Sequence, residues 1–185
     1  MKLGLFSATV LAALAVAGAA SAQTVTGTVN ITGTVNSKCS VNGAGAPSAF
    51  SDTWNLGDLA DTDGTLTSIP NQSTSGDGIQ VTCTSRPFVT IDASPIVNVA
   101  PIPGAGYANT VNYVAYADFL TVPSATETIT DASGGLGSSS TQLTAHLQNV
   151  TDNVVVRADT FTTPGGTDIL VSGPYSGSII VTITP

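Results

Sequence analysis

The side chains that could do acid-base or nucleophilic chemistry are few in this sequence and lie far apart. His146 is the sole histidine and Glu127 the sole glutamate. A serine hydrolase needs a histidine beside its nucleophile, often within a G-x-S-x-G turn, and that turn is absent here. A glycoside hydrolase needs two flanking carboxylates, and nothing in the sequence singles out such a pair. We therefore assign no catalytic residue, predict that His146 is exposed, and expect a protein that is not an enzyme.

The aspartates at 58, 61 and 63 have a spacing that resembles a calcium-binding loop. An EF-hand loop needs an oxygen ligand at its first position and a bidentate glutamate at its last. Leu59 and Pro70 occupy those positions. Because aspartate and glycine also favour turns, we predict a solvated turn, with no metal site and no cofactor.

Two cysteines, Cys39 and Cys83, are the remaining reactive side chains. A pair of cysteines in an exported chain forms a disulfide by default. Each cysteine is in phase with a neighbouring apolar residue, Val41 or Val81, so both sulfurs can face one core. The alternative, a reactive or metal-bound thiol pair, is disfavoured because neither cysteine has a histidine or CxxC partner nearby. We predict a Cys39–Cys83 disulfide.

The compartment follows from the N-terminus. Residues 1–22 read as a secretory signal, with Lys2 followed by a short apolar stretch and an Ala20-Ser21-Ala22 cleavage site. The exported chain would start at Gln23 and carry three basic against twelve acidic residues, a net charge of −9. That charge disfavours nucleic-acid binding and attachment to anionic membranes. No later segment is apolar enough to predict a membrane span.

Short runs of period-two hydrophobicity separated by glycine and proline follow, which predicts one all-β domain over residues 33–185. Many short strands at this spacing are typical of a sandwich, although the pattern does not exclude a barrel. The prolines fall between the predicted strands. These strands are 79–84, 88–92, 111–116, 126–130, 143–150, 154–157, 168–171 and 178–184.

The longest alternation, residues 24–42, precedes that domain. It is too long for one ordinary strand, so we expect a break near Gly33. Residues 23–32 then form an extra amphipathic strand, while Ile179, Val181 and Ile183 mark a strand at the other end of the sequence. This arrangement suggests a sandwich that lacks one edge strand. Either another copy's N-terminal strand fills that edge, or the strand folds back onto its own domain.

Several motifs occur in an order that resembles the spore coat protein U-like secreted proteins, which are similar to subunits of archaic chaperone-usher pili. They are the leader, the amphipathic strand, Lys38-Cys39-Ser40-Val41, the cysteine in residues 78–83, the Tyr-x-x-Tyr-x-Asp piece at 113–118, and the closing residues 173–185. Residues 119–140 stand where that family usually has a Trp-Gly-Asp-Gly turn.

The resemblance implies an incomplete immunoglobulin-like β-sandwich that is completed by donor-strand complementation. It also implies a periplasmic chaperone, an outer-membrane usher and other pilins as partners, and a position in a fimbrium on the cell surface. In the donor strand, Val25, Val29 and Ile31 match the inward side chains, and Gly27 matches a position for a small residue.

We therefore expect a structural pilus subunit that contributes to attachment or biofilm formation. The main alternative is a monomeric secreted adhesin or carbohydrate-binding β-sandwich whose N-terminal strand pairs with its own sheet. A secreted hydrolase is a weaker alternative. Trp54 could stack on a sugar. Because Leu56 lies close to it in a β-domain, we predict instead that Trp54 belongs to the core.

Overall fold

The computed structural model describes residues 26–41 and 49–185. The predicted leader, residues 1–22, and the first predicted donor-strand side chain, Val25, lie outside these residues. The chain forms two compact units, one that ends at Thr34 and one that runs from Val35 to Pro185.

Residues 26–34 of the first unit form no strand. The side chains of Val29 and Ile31 are 85% and 92% exposed. Within the described part of residues 24–42, only Cys39–Val41 is a strand, so the predicted strand at 23–32 is not paired with its own domain in the residues described. A strand needs a neighbour for its backbone N–H and C=O groups, and alternation alone does not provide one.

The second unit is all-β, and the described residues contain no helix. In chain order its strands are β1 (Cys39–Val41), β2 (Gln72–Ser73), β3 (Val81–Cys83), β4 (Phe88–Val97), β5 (Tyr107–Ala108), β6 (Thr110–Thr121), β7 (Ala125–Ala132), β8 (Ser139–Gln142), β9 (Val154–Thr162), β10 (Ile169–Leu170) and β11 (Ser176–Thr184). Accordingly, no described helix is long and apolar enough to cross a membrane.

The main sheet path runs β11-β4-β6-β9-β2. β4 pairs with β11 along one side. Its other side pairs with β8 through residues 88–91 and with β6 only through Ile96 and Val97. β6 then continues between β7 and β9. β4 and β6 are paired only at their ends, through these two residues of β4. The strands on either side of this junction can therefore form two layers, one of β8, β4 and β11 and one of β7, β6, β9 and β2. This arrangement is consistent with a β-sandwich.

Two short sheets flank the main path. β1 pairs antiparallel with β3, and β5 pairs parallel with β10.

The core lies on the inward faces of β4, β6 and β9. Alternate residues of these strands are almost fully buried, which is the period of two expected when one face of a strand packs inward. The least exposed are Val89, Ile91, Val111, Ala115, Ala117, Phe119 and Val154, each at 0%.

Two sequence expectations fail in this domain. Residues 143–150 were expected to form a strand, but they follow β8 as turns with a single bridge at Leu147. Leu143 and Leu147 are buried even so, while Val150 is exposed. The Glu127 carboxylate accepts hydrogen bonds from the N–H and hydroxyl of Thr144 and so holds this loop against β7.

Pro95 lies inside β4 rather than between strands. Its position coincides with an irregularity in the pairing of β11, where Ser178 is opposite Ser94 but Ser176 is opposite Val97. A bulge is a place where a sheet accommodates a residue that lacks an N–H donor.

Candidate binding groove

The most unusual feature of the domain is the strand β11, which pairs with β4 alone among the described strands. Ile179, Val181 and Ile183 alternate toward the interior, yet each is only half-buried. Their partners on β4 include Val89 and Ile91, which are fully buried. The inward face of β11 is therefore only partly covered, although it belongs to the same layer as β4.

A cavity of about 1000 Å³ lies against this uncovered face. Its lining includes β11, the segment 170–175 that precedes it, the inward face of β9, and the segment Phe50–Ala60. A second recess of about 410 Å³ lies between Cys39–Val41 and residues 179–183 of β11. Phe50, Ile179 and Val181 line both spaces. We call the two spaces together the β11 groove.

Tyr113 of β6 contributes to the lining of the groove and is only 5% exposed. Its hydroxyl lies 2.8 Å from the Ser94 carbonyl oxygen on β4 and 3.0 Å from the Ser178 carbonyl oxygen on β11. It donates its single proton to this pair of acceptors. Burial raises the pKa of the Tyr113 phenol to about 12, with smaller contributions from the charges of Asp131 and Asp92. Tyr113 therefore ties β11 to β4 while it remains neutral.

The segment Phe50–Ala60 forms another part of the groove wall. It contains no strand, and its only pairing is a bridge from Ala60 to Leu66. The side chains of Phe50, Trp54 and Leu56 are half-buried and pack against the core, while those between them are exposed. The prediction that Trp54 is a core residue agrees with this packing.

The indole Nε1 of Trp54 is buried and has no hydrogen-bond partner. A buried donor without an acceptor costs about 1–3 kcal/mol relative to a satisfied one. Among the described residues, the Ser85 hydroxyl and the acceptor oxygen Oε1 of Gln148 are also buried without a hydrogen-bond partner, but neither residue lines the groove.

The predicted disulfide is confirmed. Cys39 and Cys83 are bonded, and they face each other in the pairing of β1 with β3. The bond holds β1 at one end of the β11 groove, where residues 39–41 form its wall.

The polar candidates do not converge on a reaction centre. His146 is exposed, as expected. The Asp61 carboxylate accepts hydrogen bonds from the Asp63 N–H and the Thr65 hydroxyl, and so stabilises its own turn. No group of three or more His, Cys, Asp or Glu side chains within 26–41 and 49–185 could hold a metal ion.

A second polar cluster lies on β6 and β9. Arg157 forms an ion pair with Asp118, and its guanidinium lies 4.7 Å from the centre of the Tyr116 ring. Burial raises the pKa of Asp118, but hydrogen bonds from Arg157 and Thr128 outweigh it, so this pKa lies below its ordinary value. Every charged group of the cluster already has a partner within the cluster.

The described residues place the predicted site residues in two groups. Ile179, Val181 and Ile183 line the groove, whereas Gly27, Val29 and Ile31 are exposed residues of the first unit. Sequence reasoning did not identify Tyr113 or the segment Phe50–Ala60 as groove residues. The alternation of Phe50, Trp54 and Leu56 at even positions was the available signal for the segment.

No protein-family model, no curated protein and no solved structure matches this chain.

Proposed function

We propose that this protein is a structural subunit of an extracellular filament, in which the N-terminal segment of one copy adds as a strand to the β11 groove of the next. The observation that carries the proposal is the half-covered apolar face of β11 beside a groove of about 1000 Å³. An extended peptide can make two kinds of contact with such a site. Its backbone can form hydrogen bonds with the edge of β11, and its alternate side chains can fill the groove.

The pattern of residues 25–31 suits that site. Val25, Val29 and Ile31 lie on one face of an extended chain, and Gly27 leaves space between them. The opposite face carries Thr and Asn, which would remain in contact with water. Burial of Val29 and Ile31, now 85% and 92% exposed, would contribute about 1.5–3 kcal/mol each.

The remaining parts of the proposal rest on the resemblance to the spore coat protein U-like proteins. They are an incomplete immunoglobulin-like sandwich, export through the periplasm, and delivery by a chaperone to an outer-membrane usher. The product would be a fimbrium at the cell surface that contributes to adhesion or biofilm. Because donor and acceptor are different surfaces of one subunit, the contact is head to tail and produces an open filament.

The test is the oligomeric state of matched pairs of charge variants. The exported chain, from Gln23, is refolded and studied by light scattering and negative-stain electron microscopy. Val29→Asp with Ile31→Asp should prevent polymerisation, because each substitution places an unpaired charge in an apolar groove. Thr26→Asp with Thr28→Asp adds the same charge on the opposite face and should leave filaments intact.

A mixing experiment adds a second criterion. The Val29→Asp, Ile31→Asp chain keeps its groove, so it should accept a donor, end growing filaments and shorten them. The proposal fails if the unmodified chain stays monomeric under conditions in which it is folded. It also fails if the two double variants polymerise equally well.

A further inference from the structure

Trp54 is the single tryptophan of this chain, and it lines the β11 groove. Its ring packs against the core, but its Nε1–H has no acceptor. Indole is a donor only, so a buried indole nitrogen is normally paired with an oxygen. The missing partner therefore requires an explanation, and the groove beside the ring supplies a place for one.

Around Trp54, the hydrogen bonds among the described residues are local. The Thr53 N–H donates to Asp52, and the Gly57 N–H donates to Asn55. Within the described chain, no backbone group of residues 50–58 is hydrogen-bonded to a residue beyond this segment. Such a wall can shift when the groove is filled without breaking a β-ladder.

We propose that Trp54 anchors the strand that enters the groove: its Nε1–H donates to a main-chain carbonyl oxygen of that strand. This inference rests on the proposed function, because the occupant is the N-terminal segment of a second copy. An extended peptide brings a carbonyl oxygen at every residue, and those that do not pair with β11 remain available to other donors that line the groove, such as the Trp54 indole. The empty groove leaves the indole donor unpaired, and the filled groove pairs it.

The experiment uses the full exported chain with Val29→Asp and Ile31→Asp, so that its own segment does not compete for the groove. The probe is a synthetic peptide of residues 23–35. With a single tryptophan, the ¹H–¹⁵N spectrum contains one indole signal, and we expect it to move downfield when the peptide binds. Trp54→Phe keeps an aromatic ring and removes the donor, and we expect it to weaken peptide binding at least about fivefold.

Leu56→Met is the matched control, because it changes the same wall with little change in volume and should alter the affinity less. If the peptide binds but the indole signal does not move, and Trp54→Phe binds equally well, the anchor is refuted while the proposed function stands. If the peptide does not bind the unsubstituted Trp54 chain, the proposed function fails and the anchor fails with it. Should Trp54→Phe not fold, the indole signal alone decides.

Discussion

Replacement of Tyr113 by phenylalanine tests whether a neutral phenol joins β11 to the rest of the sheet. The hydroxyl lies within hydrogen-bond distance of carbonyl oxygens on both β4 and β11. Loss of this hydrogen bond should lower the free energy of unfolding by about 1 kcal/mol at neutral pH. The ring itself remains, including its contact with Phe161 at 5.7 Å between ring centres, so the packing should change little.

The larger effect should appear at alkaline pH. Burial raises the pKa of Tyr113 from 10.0 to about 12 in the folded protein. The unfolded chain therefore releases this proton at a lower pH than the folded chain does. The contribution to stability is complete below pH 10 and disappears as the pH rises toward the folded value. A shift of this size corresponds to about 3 kcal/mol of stability lost over that range.

The measurement combines a spectroscopic titration of the tyrosines with denaturant unfolding at several pH values between 8.5 and 11.5. Tyr113→Phe should unfold more easily than the parent near neutrality, and its stability should fall less steeply above pH 10. Tyr107→Phe is the control, because Tyr107 is 41% exposed and should behave like the parent. If the parent and Tyr113→Phe lose stability in parallel as the pH rises, the bridge to β11 is not held by a neutral Tyr113.

Two further predictions concern the elements that flank the groove. Reduction of the Cys39–Cys83 disulfide should lower the free energy of unfolding by about 4 kcal/mol, according to the loop-entropy relation for a sequence separation of 44, and should abolish peptide binding because β1 is freed. The intact mass after alkylation gives the redox state. Retained peptide binding in the folded, reduced protein would contradict this role. Gly173→Ala should destabilise the domain by more than 1 kcal/mol, because Gly173 has a φ of 140° and an added Cβ would lie 2.7 Å from the Asn98 amide nitrogen. Unfolding in denaturant measures this change in stability. A variant as stable as the parent would contradict the close approach. Gly27→Ala meets no atom within 4 Å and serves as the control for the second experiment.

Much of the fold could be predicted because a strand with one buried face shows an alternation of apolar and polar residues in the sequence. The expected strands at 88–92, 111–116 and 154–157 lie within β4, β6 and β9. The disulfide could be predicted for the same reason, since each cysteine is in phase with its buried neighbours. The strand predicted at 143–150 is wrong, because Leu143 and Leu147 are buried with a spacing that a strand would also give, although they belong to a loop that is hydrogen-bonded to Glu127.

The groove could be predicted only in part. A terminal strand with Ile179, Val181 and Ile183 on one face indicates an edge of the sheet, but it does not show which other segment lines the groove. That segment, Phe50–Ala60, has no ladder and depends on contacts with residues far along the chain. The missing acceptor of Trp54 is likewise a property of three-dimensional packing, and no sequence pattern reports it.

The two ends of the sheet path are built differently, and this difference bears on function. A free edge strand invites pairing with other chains, and proteins usually protect such edges by brevity, charge, proline or a bulge. β2 has only two residues, Gln72–Ser73, and is protected by its shortness. β11 has nine residues, no charged side chain, and a bulge only at its first residues.

From residue 178 onward, β11 is regular, rich in β-branched residues and flanked by the groove. In a protein that acts as a monomer, such an edge would be a persistent aggregation hazard, and a single lysine at an outward position such as Ile180 would reduce it. Ile180 is instead 56% exposed and apolar. Because no further described strand pairs with β11, this apolar edge along the groove supports the proposal that β11 pairs with a strand of another copy.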